Sequence, residues 1–374
     1  MLRTVVRLPL VALALLVSCA PTAAPVPAGG ATERQPPPSA APAAPTGVSA
    51  GATPPEAQRA TAPDTVSVGW VRSINNGPFM AAHGRGYYAE EGLAIETAEF
   101  RSAADTVAAL GTGQLDVNVG SISAGTFNAW QRGVKMVVAA PTSAYPSEGL
   151  MPTNVVVRKD LYDSGAVRTA ADFRGRRVAM NVRGGINEVV LMLVLARRGL
   201  TLDDVELVTL PFPDMAAALA NASVDAVTPP DPFGAQAIDQ GVGVRLDEDQ
   251  RSVGPIQPTH FLFSENFAVN RADVATRFLI ATIRAARELQ GNWLADPALA
   301  QIMEDETGIK KEILARSILP VFPPDLALRV EDINMMQDAF LASGQLSYPS
   351  PLDISPFIDT SLVQQARQRL DARR

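Results

Sequence analysis

From Asp64 onward, apolar residues fall in short alternating or continuous runs, separated by stretches in which they recur every three or four positions. That texture predicts strands alternating with helices around an α/β sheet. Residues 66–70 read as the first strand. Residues 78–91 read as a helix with Pro78 in its first turn, closed by Gly92 and Leu93 before a strand over 94–100. A second helix from about Ala103 stops near Gly111 and Gly113, and a short strand over 116–120 runs into Ser121. The predicted unit is β-α-β-α-β.

The unit recurs about 109 residues later. Leu110 stands six residues before Asp116, as Leu219 does before Asp225, and Gly92-Leu93 matches Gly199-Leu200, each pair closing a helix and opening a strand. Two copies of one α/β unit predict two similar lobes. Loops beyond the strand C-terminal ends form the crevice of an open α/β sheet, so two facing lobes make a cleft where function should sit.

The N-terminal part reads differently. Residues 1–18 carry Arg3 and Arg7 followed by an apolar run over 8–17, too short to span a bilayer comfortably and built like a secretory signal. The run ends in Leu16, Val17, Ser18 and Cys19, which resembles the bacterial lipobox and implies lipidation of Cys19. Cys19 is the chain's only cysteine, so the body behind it forms no internal disulfide and depends on core burial. Residues 19–63 are then a lipidated cysteine and a disordered tether rich in Pro and Ala, with too little apolar surface to fold and a reach on the order of tens of ångströms. With 39 Asp and Glu against 32 Lys and Arg, the charge balance argues against nucleic acid as a partner.

Several segments resemble one family. Gly86 through Leu93 is similar to a stretch where a helix ends in a glycine and two aromatics before glycine-leucine and a strand. Ala109-Leu110 with Gly113 and Asp116, then Gly133 and Lys135, follow in the same order; Asp172 through Ala179, Asp225-Ala226 and residues 229–233 continue the likeness. These resemble the type 2 periplasmic binding proteins of the sulfonate, nitrate and thiamine-precursor group, over about residues 66–293. The resemblance implies a two-lobed fold, each lobe a mostly parallel sheet flanked by helices, with the ligand between lobes. It implies an extracytoplasmic monomer, lipid-anchored on the periplasmic or extracellular face, that captures a small solute and delivers it to an ABC permease and its ATPase. A sensing lobe for a membrane signalling protein would look the same. No cofactor or metal is called for.

Two crossings divide the lobes, near 152–159 and 260–269, giving 64–154 plus 264–374 as lobe one and 155–263 as lobe two. Strand ends nominate the cleft residues: Arg72, Asn75, Asn76, Phe79, Ser102, Gly120 and Ser121 from lobe one, and Arg183, Gly184, Asn187, Asp231 and Phe233 from lobe two. Asn75 and Asn76 offer amides or merely a capped turn. Arg183, Gly184 and Gly185 precede a helix in the manner of an anion cradle. Phe79 and Phe233 are apolar walls or core, and Asp231 suits a cation or a ring nitrogen. A sulfonate or nitrate-like anion would draw on helix N-termini and arginines, a pyrimidine or aromatic compound on Asp231 and the phenylalanines; the sequence leaves both open. Only two histidines, His83 and His260, are present, and Asn75-Asn76-Gly77 stands where thiamine-pyrimidine synthases of this fold carry a reactive histidine, which argues against catalysis.

Overall fold

The computed structural model describes residues 62–100, 103–249, 251 and 255–373; Cys19, the signal and tether segments and Ser102 lie outside the described residues. Among the described residues, ten strands form two five-stranded sheets. The first contains β1 (Asp64–Trp70), β2 (Leu93–Glu99), β3 (Val117–Gly120), β4 (Met136–Pro141) and β10 (His260–Ser264) in the order β2-β1-β3-β10-β4. The second contains β5 (Val156–Arg158), β6 (Arg177–Met180), β7 (Glu206–Thr209), β8 (Ala226–Val227) and β9 (Gly243–Arg245) in the order β7-β6-β8-β5-β9. Replacing β1, β2 and β3 by β6, β7 and β8, β10 by β5 and β4 by β9 turns one order into the other, which is the internal repeat seen in the sequence.

Each sheet is mostly parallel with one reversed strand. β10 runs antiparallel to β3 and β4, and β5 antiparallel to β8 and β9. Both reversed strands are the first that the chain forms after crossing between sheets, so they start at the cleft end where the others finish. The crossing segments run side by side, with Tyr145 bridged to Ile256 and Leu150 to Arg251. The boundary expected at 263/264 needs moving: the whole of His260–Ser264 belongs to the first sheet, because His260 already pairs with Gly120 and Pro141.

The repeat extends to side chains. The Asp116 carboxylate accepts from Ser67 N at 3.0 Å and from Arg271 at 2.8 Å; that of Asp225 accepts from Arg177 N at 3.0 Å and from Arg158 at 3.0 Å. In each lobe the aspartate thus ties its own strand to the first strand of the unit, with an arginine supplying charge. Leu110 and Leu219, six residues earlier, are both buried.

The first sheet is covered by the amphipathic helix Ala272–Glu288, whose Phe278 stacks on Tyr88 at 4.8 Å and meets Phe261 edge-on at 5.7 Å. The expected helix over 78–91 is two pieces, Gly77–Gly84 and Tyr87–Glu90, because Gly86 between them adopts a left-handed conformation (φ 76°). Burying rings of this size supplies much of the core's stability, each contributing several times the roughly 0.8 kcal/mol of a single methylene.

Candidate ligand-binding cleft

The loops after β1, β3, β6 and β8 meet the crossing segments in a narrow chamber between the two sheets. The first sheet's side supplies Ser73, Asn75, Asn76, Gly120, Ser121, Ser123 and Thr259; the other supplies Asn181, Gly185, Ile186, Asn187, Phe212 and Pro230, and among the described residues no charged side chain lines the chamber. It shares Val71, Asn181, Val182 and Phe212 with a wider outer compartment, walled by Phe100, Phe212, Phe233, Pro211 and Pro213 and edged by Arg72, Glu99 and Asp105.

The asparagines are oriented by the protein. Asn75, buried, donates from Nδ2 to the Tyr145 hydroxyl at 3.3 Å, and its Oδ1 has no partner. Tyr145 lies 2.8 Å from Thr153 Oγ1 and can pass its own proton there; burial pushes its phenol pKa up, so it stays neutral. Asn187, also buried, donates from Nδ2 to Thr228 O at 2.7 Å. Asn76 is fully engaged: Nδ2 bonds Val71 O at 2.8 Å and Val119 O at 3.3 Å, and Oδ1 accepts from Thr142 at 3.4 Å. It braces the loop.

Gly120 and Ser121 line the chamber as expected, and so does Asn187. Phe233 walls the outer compartment, stacked on Phe212 with ring centroids 5.6 Å apart. Four expectations need correction. Phe79 is core, 1 % exposed, packed against Trp70 and Tyr88. Asp231 is fully buried and saturated, accepting from Asn154 at 2.7 Å, Ala235 N at 2.9 Å, Ile318 N at 2.6 Å and Arg245 at 3.3 Å. Burial raises its pKa, opposed by Arg245. Arg72 sits at the edge of the outer compartment, paired with Glu99 at 3.0 Å and bonded to Glu306 O at 2.6 Å. Arg183 turns away from the chamber and pairs with the buried Glu188 at 2.8 Å.

Gly184 acts through its backbone. Its carbonyl accepts from Ala124 N at 2.9 Å, at the first turn of the helix Ala124–Gln131, so the glycine loop of one lobe touches a helix end of the other. At φ 71°, a Cβ on Gly184 would lie 2.9 Å from that of Ala124. The anion cradle expected here is filled from within: Glu188, in the first turn of Ile186–Arg197, accepts from Gly184 N.

Sequence reasoning missed Ser123, Asn181 and Thr259. Asn181 directly follows the last residue of β6, at the strand's C-terminal end. Thr259 reaches the chamber because a crossing segment passes beside it, and no local pattern marks that. Among the described residues no group of three His, Cys, Asp or Glu is placed to hold a metal ion, and no helix is long and apolar enough to cross a membrane.

The NMT1-like family model matches residues 59–304, and the chain belongs to that family. No curated protein matches by sequence. Solved structures share the fold: the alkanesulfonate-binding protein SsuA from Xanthomonas axonopodis pv. citri bound to MOPS is 19% identical over 80% of this chain and 99% of its own, with TM-score 0.64. The periplasmic nitrate-binding protein NrtA from Synechocystis PCC 6803 is 16% identical over 83% of this chain and 90% of its own, with TM-score 0.68. The desulfurization enzyme DSZB is 16% identical over 82% of this chain and 99% of its own, with TM-score 0.56, so this fold carries both binding and catalysis.

Proposed function

We propose that this member of the NMT1-like family captures a small solute between its lobes outside the cytoplasm and hands it to an ABC-type permease on closure. The observation that carries the reading is a chamber built jointly by both lobes from hydroxyls, amides and backbone, with no charged group in its wall among the described residues. A solute bonded to both sides draws them together and shifts the population towards a closed form that a permease can recognise. The contact of Ala124 N with Gly184 O is an element of that closed form.

The enzyme reading is less well supported, although the fold admits it. Ser73, Ser121 and Ser123 line the chamber without a histidine, lysine or carboxylate among the described lining residues to take a proton. Anchoring through Cys19, on the lipobox pattern, would keep the receptor at the membrane face.

Thermal-shift and calorimetric titration of the mature protein against sulfonates, nitrate, pyrimidines and aromatic amides tests capture. A ligand at a hundred times its Kd adds about 2.7 kcal/mol of stability. X-ray scattering of the same complex should show compaction, and a bound ligand without compaction would count against delivery by closure.

A further inference from the structure

Resting on the capture reading, we infer that the ligand is an uncharged molecule with an N–H-bearing head, held between Asn75 and Asn187, and a flat apolar tail against Phe212 and Phe233. It is not a simple oxyanion.

The head follows from which end of each amide is free. Thr228 O can only accept, so it fixes Nδ2 of Asn187 towards itself and leaves Oδ1, which bonds no described residue, to the chamber. The Tyr145 hydroxyl, giving its own proton to Thr153, accepts from Nδ2 of Asn75, and Oδ1 of Asn75 is buried without a partner. Leaving a buried acceptor unmade costs about 1–3 kcal/mol, which a donor on the ligand recovers and a sulfonate or nitrate oxygen does not. One such acceptor comes from each lobe, so an amino or amide head with two N–H groups has a partner on both sides.

Charge points the same way. Arg72 and Arg183 are paired with Glu99 and Glu188, and Asp231 is paired with Arg245. The carboxylate of Glu188, fully buried, already occupies the start of the helix whose first residues, Ile186 and Asn187, face the chamber. An anion there would find the Gly184 amide already bonded to that carboxylate and Arg183 already paired with it.

The tail follows from the outer compartment. Phe212 belongs to both compartments and stacks on Phe233 with ring planes 27° apart, and Phe100, Pro211 and Pro213 complete an apolar wall continuous with the polar chamber. A planar group leaving the chamber slides onto that wall, with aromatic contact adding to area burial.

Four probes separate head from tail: benzenesulfonamide, benzenesulfonate, methanesulfonamide and methanesulfonate, titrated into the mature protein by calorimetry. Benzenesulfonamide should bind at least about tenfold more tightly than benzenesulfonate and than methanesulfonamide. Asn187→Ala should erase the first ratio and Phe212→Ala only the second, with thermal melts confirming that each variant is folded. Tyr145→Phe, which frees the Asn75 amide to turn without touching the chamber wall, should narrow the first ratio and serves if Asn187→Ala does not fold. Benzenesulfonate binding as tightly as its amide overturns the head, and a phenyl preference surviving Phe212→Ala overturns the tail. Sulfonates binding while neither sulfonamide does defeats this inference and leaves capture standing, whereas silence from all four counts against both.

Discussion

The loop after β3 and the loop after β8 close two copies of one unit, yet they do opposite jobs. Beyond Gly120, the first presents Ser121 and Ser123 to the chamber. Beyond Val227, the second turns inward: Thr228 O holds Asn187, and Asp231 is sealed under Arg245, Asn154 and two backbone amides. A parallel contrast lies at the start of the reversed strands. His260 pairs with Gly120, and the corresponding position in the other lobe, reached by aligning Asp116 with Asp225, is Asn154. Asn154 bonds Pro152 O, Pro229 O, Asp231 and Arg245, whereas neither ring nitrogen of His260 has a partner. Topology decided where these residues sit. Their partners decided what each is for.

The contrast breaks most readily at Asp231. Asp231→Ala strands Arg245 and two backbone donors inside the protein, and urea denaturation should show a loss of about 3–5 kcal/mol; a loss below about 1 kcal/mol would mean that the second loop is not locked by this carboxylate. The equivalence underlying the contrast is tested by Asp116→Ala and Asp225→Ala, each removing charge-assisted bonds to an arginine and a strand amide. Both should cost about 1.5–3 kcal/mol in the same assay, and a clear inequality would argue that only one copy depends on its aspartate.

Lobe contact is probed by Gly184→Ala. The left-handed backbone and the approach to Ala124 make the closed form strained, so affinity for any captured ligand should fall by about tenfold, or 1.4 kcal/mol, with compaction on binding lost. Unchanged affinity would remove this contact from the closing step.

At neutral pH the smallest effect belongs to His260. Burial pushes its pKa down from 6.5 to about 3, so the unfolded chain binds the proton that the folded one refuses between those values. Its contribution is complete above pH 6.5 and declines as the pH falls towards 3, by up to about 1.4 kcal/mol per pH unit. His260→Leu should flatten that part of the stability profile, measured by melting across pH; an unaltered slope would place the acid sensitivity elsewhere.

What was legible in the sequence was whatever local periodicity and spacing encode. Strand and helix alternation gave the fold class, Leu110-Asp116 and Leu219-Asp225 gave the repeat, and strand ends gave Gly120, Ser121, Asn75 and Asn187 as cleft residues. Those features depend on neighbours within one unit, which a one-dimensional pattern records. Tertiary structure alone decided the chemistry of the cleft, because the partners that consume or orient its polar groups come from far along the chain. Glu99 takes Arg72 across 27 residues, Tyr145 fixes Asn75 across 70, and Ile318 N reaches Asp231 across 87. A side chain that looks available in sequence is available only if no such partner arrives, and long-range folding determines that.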